Sequence, residues 1–133
     1  MIVLDASVLI AHLDAEDAHH ARADQLLADT SPQPLGASPI TLAEVLVAPA
    51  RKGRLDRANA ALKRLGVVPI ALVDDAALRL AVLRAGTNLR LPDCCVLLAA
   101  ETVDASIATF DDRLASAAAE RGHVVLGEQS RPG

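Results

Sequence analysis

The chain has 133 residues, 52% of them hydrophobic and 23% charged, with a net charge of −4. That length makes one domain able to bury a real core, and no apolar run approaches the ~20 uncharged residues of a membrane span. The N-terminal apolar stretch has no basic region ahead of it and is interrupted by Asp5, so it does not read as a signal peptide, and a cytoplasmic protein is expected. The apolar excess then calls for helices buried on more than one side, or for surfaces covered by a partner.

In chain order, Ile2 to Leu4 reads as a strand, and residues 6–13 as a short helix capped by Asp5. A second helix is expected over about 17–29, and residues 34–37 carry a weak strand signal. Ser38 followed by Pro39 gives an N-cap and a proline at the first helical position; this third helix should end near Ala48, before Pro49. Arg54 to Leu65 is amphipathic and stops at Gly66. Residues 67–72 read as a strand weakened by Pro69. Asp74 and Asp75 open a helix to about Ala85, with Leu78, Val82 and Leu83 at helical spacing. Leu91-Pro92 opens another to about Thr102. Residues 106–110 then form a strand, 111–121 a helix and 123–126 a last strand, before a polar tail from about 127 to 133. Strands alternating with helices predict an α/β fold with a small, mainly parallel five-stranded sheet, covered on both faces.

Charge is uneven along this pattern. Residues 51–64 hold six of the thirteen Lys and Arg, namely Arg51, Lys52, Arg54, Arg57, Lys63 and Arg64, against one Asp. Such a segment is either a solvated helix face or a contact for a polyanion. With one Phe and no Trp or Tyr, stacking on single-stranded bases is nearly excluded. Adjacent Cys94 and Cys95 suit neither a disulfide nor a zinc site and read as small apolar helix residues.

Three acids have a structural explanation when taken singly. Asp5 and Asp111 each sit between a strand and a helix, where an Asp N-cap contributes ~1 kcal/mol. Asp93 lies in the first turn after Pro92, where a carboxylate favours the helix dipole by ~0.3–1 kcal/mol. Glu44 differs. It stands mid-helix among apolar residues, with Val47 and Ala48 at i+3 and i+4, so it occupies either a narrow exposed strip or a buried position that needs a cation or donors.

Taken together, the four acids point to chemistry. Ligands of parallel sheets bind at the carboxyl ends of the strands. Asp5 and Asp111 lie at such ends and become neighbours if the first and fourth strands pair. Glu44 and Asp93 lie near the starts of helices that begin at the same edge. Two carboxylates ~4 Å apart repel by about 4 kcal/mol at an effective dielectric of ~20, so a cluster must keep protons or bind cations. Oxygen ligands without His or Cys select Mg²⁺ or Mn²⁺ over zinc. Such a site suits phosphoryl-transfer chemistry, in which one or two ions activate water and neutralise charge on a scissile phosphate. No His lies in these motifs, so a His general base is not indicated.

VLDAS (3–7), TLAEVL (41–46), LPDCCVLLAA (91–100) and IATFDDRL (107–114), in that order, resemble the PIN domain, and within it the VapC-type toxins of bacterial toxin–antitoxin pairs. The resemblance covers nearly the whole chain. It implies a single three-layer α/β/α sandwich over 1–133 and an endoribonuclease, dependent on Mg²⁺ or Mn²⁺, that cuts structured RNA such as tRNA or rRNA. It also implies a homodimer and a cognate antitoxin whose C-terminal segment covers the pocket. Residue by residue, Asp5, Glu44, Asp93 and Asp111 match the family's acidic quartet. On that basis Asp5 and Asp93 would hold the main metal, and Glu44 and Asp111 would complete its coordination directly or through water. Ser7 matches a small hydroxyl often found two residues after the first Asp; it either supports that Asp or is an ordinary first-turn residue. Asp111, directly after Phe110, is preferred as the fourth acid, with Asp112 as an outer aid about 100° away around the helix. RNA phosphates would meet the basic segment 51–64 and make binding salt-dependent.

Other classes start from the same Asp5. A phosphatase of the haloacid-dehalogenase type resembles D-x-D, but Ser7 replaces its second Asp. A receiver domain wants an acidic pair after the first strand. A PIN-like module that binds RNA or protein without cleaving it would not need all four acids.

Overall fold

The computed structural model describes residues 1–127. The expected tail therefore lies outside the described residues except for Gly127. Short aliphatic runs form β1 (Ile2–Leu4), β2 (Leu35–Ala37), β3 (Val67–Pro69), β4 (Ser106–Ala108) and β5 (Val125–Leu126). Between them lie α1 (Ala6–Leu13), α2 (His20–Thr30), α3 (Pro39–Arg51), α4 (Leu55–Leu65), α5 (Ala76–Gly86), α6 (Leu91–Val103) and α7 (Asp112–Glu120). The strand order is β3-β2-β1-β4-β5, and every pairing is parallel. β1 and β4 are neighbours, with Leu4 opposite Ala108, as the convergence of Asp5 and Asp111 requires.

The pleat of β1 divides the core. Val3 packs with residues of α5, α6 and α7 on one face, while Ile2 and Leu4 pack with α1, α2, α3 and α4 on the other. This is a three-layer α/β/α sandwich. Helix α6 explains part of the apolar excess: Cys94 to Ala100 are all buried, the two thiols among them free. Among the described residues, no helix is long and apolar enough to cross a membrane.

Several boundaries differ from expectation. Helix α3 runs through Pro49 to Arg51 instead of ending at Ala48. Pro49 stands in the last turn, where its missing N–H removes one helical bond, and its carbonyl is taken up by Lys52 and Arg54 N–H groups at 3.1 and 2.8 Å. Helix α2 begins at His20, not near residue 17, because Asp14 and Asp17 accept from Glu16 and His19 N–H groups and hold the preceding residues in turns. The strand expected over 67–72 stops at Pro69; β3 lies at the sheet edge, where proline is tolerated. On α5, Leu83 is buried, but Leu78 and Val82 are 74% and 70% exposed, so they do not share its core-facing side.

Candidate active site

Asp5 follows β1 and caps α1, and its backbone N–H donates to Ala108 O of β4 at 3.1 Å. It is 4% exposed, so its carboxylate must find donors inside the protein. Oδ1 accepts from the Ser7 hydroxyl at 2.7 Å and the Val8 N–H at 3.1 Å; Oδ2 accepts from the Thr109 hydroxyl at 2.5 Å. Both hydroxyls are themselves held by the loop after β4. Ser7 Oγ accepts from Phe110 N–H and Thr109 Oγ1 from Asp111 N–H, each at 3.0 Å. Ser7 is thus bound to Asp5 and is no idle first-turn residue. Thr109 escaped the sequence reading because a Thr at a strand end carries no capping or spacing signal.

Asp111 caps α7, its Oδ1 accepting from Arg113 and Leu114 N–H groups at 2.8 and 3.2 Å. Burial raises the Asp5 pKa; its three hydrogen bonds oppose the rise, and the Asp111 charge adds to it. Asp93 is raised by burial and then by Asp111. Glu44 is raised by partial desolvation, then by Asp93 and, more weakly, Asp5. The four acids therefore feel one another across one edge. Asp112 is exposed and contributes to none of these shifts. Of the two settings open to Glu44, the structure takes the exposed one. Arg90, just before α6, lowers the pKa of both Glu44 and Asp93 and is a local cation that no motif had marked.

The donor set is four carboxylates without His or Cys, three of them holding their protons above the ordinary range, and this chemistry fits a hard divalent cation. Among the described residues, the side chains as placed form no closed group of three ligands. The fit is one of donor type at an open edge.

The PIN domain family model matches residues 2–120. The chain belongs to the PIN-domain family. No curated protein sequence matches it. Among solved structures, the PIN domain is similar to a toxin–antitoxin complex from Klebsiella pneumoniae, with 25% identity, a TM-score of 0.73, and 98% of this chain and 97% of that one covered. It is similar in fold to VapC20, a sarcin–ricin-loop-cleaving toxin from Mycobacterium tuberculosis, at 21% identity, TM-score 0.73, and coverage of 93% and 97%. FitAcB from Neisseria gonorrhoeae matches at 20% identity, TM-score 0.70, and coverage of 94% and 96%.

Two cavities of the PIN domain flank the acids. A groove of about 450 Å³ between α1, α3 and α4 has an apolar lining that includes Ile10, Leu13 and Val45; Glu44 also lines it, with Lys52, Arg54, Arg57 and Arg64. Of the six basic residues in 51–64, Arg51 and Lys63 do not line it. The second cavity, about 210 Å³, lies on the Asp111 side and is lined by Asp111, Asp112, His19 and Arg22 among others. His12 and His20 stand elsewhere, both against Asp24, at 2.8 and 3.3 Å.

Proposed function

We propose that this PIN domain is a Mg²⁺- or Mn²⁺-dependent endoribonuclease that acts on structured RNA, and that it is the toxin of a toxin–antitoxin pair. One observation carries the reading: a buried Asp5, satisfied by donors on both oxygens, whose proton affinity is raised together with that of Glu44 and Asp93 at the edge where strands β1 and β4 end. Protein that only bound RNA would gain nothing from crowded carboxylates that repel a phosphate backbone. Asp5 and Asp93, with Glu44 and Asp111, are the residues that would hold a divalent ion. Such an ion, when bound, supplies a Lewis acid for the scissile phosphate and lowers the pKa of water. Ser7 and Thr109 keep Asp5 in one orientation, so its oxygens need no reorganisation when charge develops. Asp112, exposed and one step along α7, stays in an outer role.

The apolar groove with its basic rim is the seat we assign to the antitoxin. The Klebsiella pneumoniae neighbour, a toxin–antitoxin complex, supports a partner of this kind. Arg51, Lys52, Arg54, Arg57, Lys63 and Arg64 remain the residues assigned to RNA phosphates. Antitoxin and RNA would then compete for the rim residues Lys52, Arg54, Arg57 and Arg64. A homodimer would cover the exposed Leu78 and Val82 of α5.

The test is cleavage of purified bacterial tRNA and rRNA, with the new ends mapped by sequencing. Wild-type protein should cut in Mg²⁺ and stop with chelator, and Asp5→Asn should lose ~10²-fold or more of the rate. Undiminished cleavage by Asp5→Asn in Mg²⁺ refutes the assignment.

A further inference from the structure

The cavity on the Asp111 side has Asp111 and Asp112 in its lining, and it also holds a preset cation. The guanidinium carbon of Arg22 lies 4.4 Å from the centroid of the Phe110 ring, and its Nη2 donates to the Gly127 carbonyl. The ring takes one face and the carbonyl one of five N–H donors, so the fork is oriented, and among the described residues its other donors have no hydrogen-bond partner. Among the described residues, no carboxylate lies within ion-pair distance of Arg22. His19 flanks the same ring, its centroid 5.4 Å away. Helix α2, which carries Arg22, is tied to α1 by the His12–Asp24 contact and by His20 Nδ1 donating to Ala11 O at 2.7 Å.

Gly127 makes the arrangement possible. Its φ of +94° is a left-handed conformation, and a Cβ there would lie 2.7 Å from Thr109 O and 3.3 Å from the Phe110 ring. Thr109 also donates to Asp5, so the cavity and the acids share one loop. At about 210 Å³, the space is smaller than the ~300–1,000 Å³ that take a whole small ligand, and it suits a single charged group. An oriented guanidinium fork matches a phosphate. Asp111 accepts from two N–H groups of α7 through Oδ1 alone, its charge is the one a divalent ion at the acids would neutralise, and Asp112 is open to solvent screening.

We propose that Arg22 and His19 form a phosphate subsite that holds the RNA backbone on the Asp111 side of the acids, opposite the basic rim of α3 and α4. The proposal rests on the nuclease reading and places the strand across the acids with one phosphate anchor on each side. It is tested with a short fluorescein-labelled RNA spanning the mapped cut, in native form and with a neutral methylphosphonate at either flanking phosphate. A methylphosphonate on one side should weaken cleavage by wild-type protein. Arg22→Gln should raise KM for the native RNA about tenfold, act less on kcat, and show no further loss with that methylphosphonate. Arg22→Lys, which keeps the charge without the fork, should fall between the two. In binding titrations with the same RNA, Arg22→Gln should flatten the salt slope by about one. Equal methylphosphonate penalties and equal salt slopes in wild type and Arg22→Gln overturn the subsite. If wild-type protein cleaves no RNA, the salt slopes are compared on purified tRNA instead; a flatter slope in Arg22→Gln then keeps the subsite while the nuclease reading falls, and equal slopes remove both.

Discussion

Asp5 holds three hydrogen bonds before any ligand arrives, and two of them come from side-chain hydroxyls that report on the loop after β4. Thr109 is the more telling of the two. It is 1% exposed, and its hydroxyl links Asp5 Oδ2 to the Asp111 N–H. Thr109→Val preserves shape and removes both links. Activity should fall ~10–100-fold, the scale for lost support of a metal ligand. Because the Thr109 bond lowers the Asp5 pKa, its loss raises that pKa further. The acid limb of the pH–rate profile should therefore move to higher pH. A profile that superimposes on wild type would show that Thr109 only packs. At this scale the sequence exposed the acids, because charge in an apolar context is visible in one dimension. It hid Thr109 and Arg90, whose roles come from partners 104 residues away in one case and on another helix in the other.

Helices α3 and α5 show how an element can keep its place and still depart from its pattern. Pro49 was expected to end α3, but one lost hydrogen bond in a final turn is a small penalty beside the packing of Thr41 and Val45. On α5 the apolar residues at i and i+4 point away from the core. Two neighbouring exposed aliphatics on one helix face offer a contact for a second copy of the chain. If that face is the dimer contact, Leu78→Asp with Val82→Asp should convert a dimer to a monomer in analytical ultracentrifugation, with the fold kept because neither side chain supports the core. A wild-type protein that sediments as a monomer at all concentrations would remove the homodimer from the proposal.

For the whole molecule, the crowded edge predicts how stability responds to pH. Asp5, Glu44 and Asp93 bind protons more tightly when folded than when unfolded. Between the ordinary and the raised values the folded state holds more protons, so this contribution is complete at low pH and lost as pH rises through the raised values. Asp5→Asn removes the charge, so its stability relative to wild type should grow as pH rises above the ordinary Asp value of about 4, as read by chemical denaturation. Mg²⁺ should recover the loss in wild type, by ~2.7 kcal/mol at a concentration ~100 times its Kd. A melting temperature indifferent to Mg²⁺ near neutral pH would contradict the metal assignment. The sequence by itself determined the alternation of strands and helices, the caps at Asp5, Ser38, Gly66 and Asp111, and the order of the four acids. These follow from local rules of hydrophobic period, capping and turn chemistry, which act over a few residues. Only the tertiary structure decided that β1 lies beside β4, that Glu44 is exposed, that Thr109 donates to Asp5, and that Arg22 stacks on Phe110. Those relations join segments far apart in the chain, and they are settled by how two core layers close on a parallel sheet.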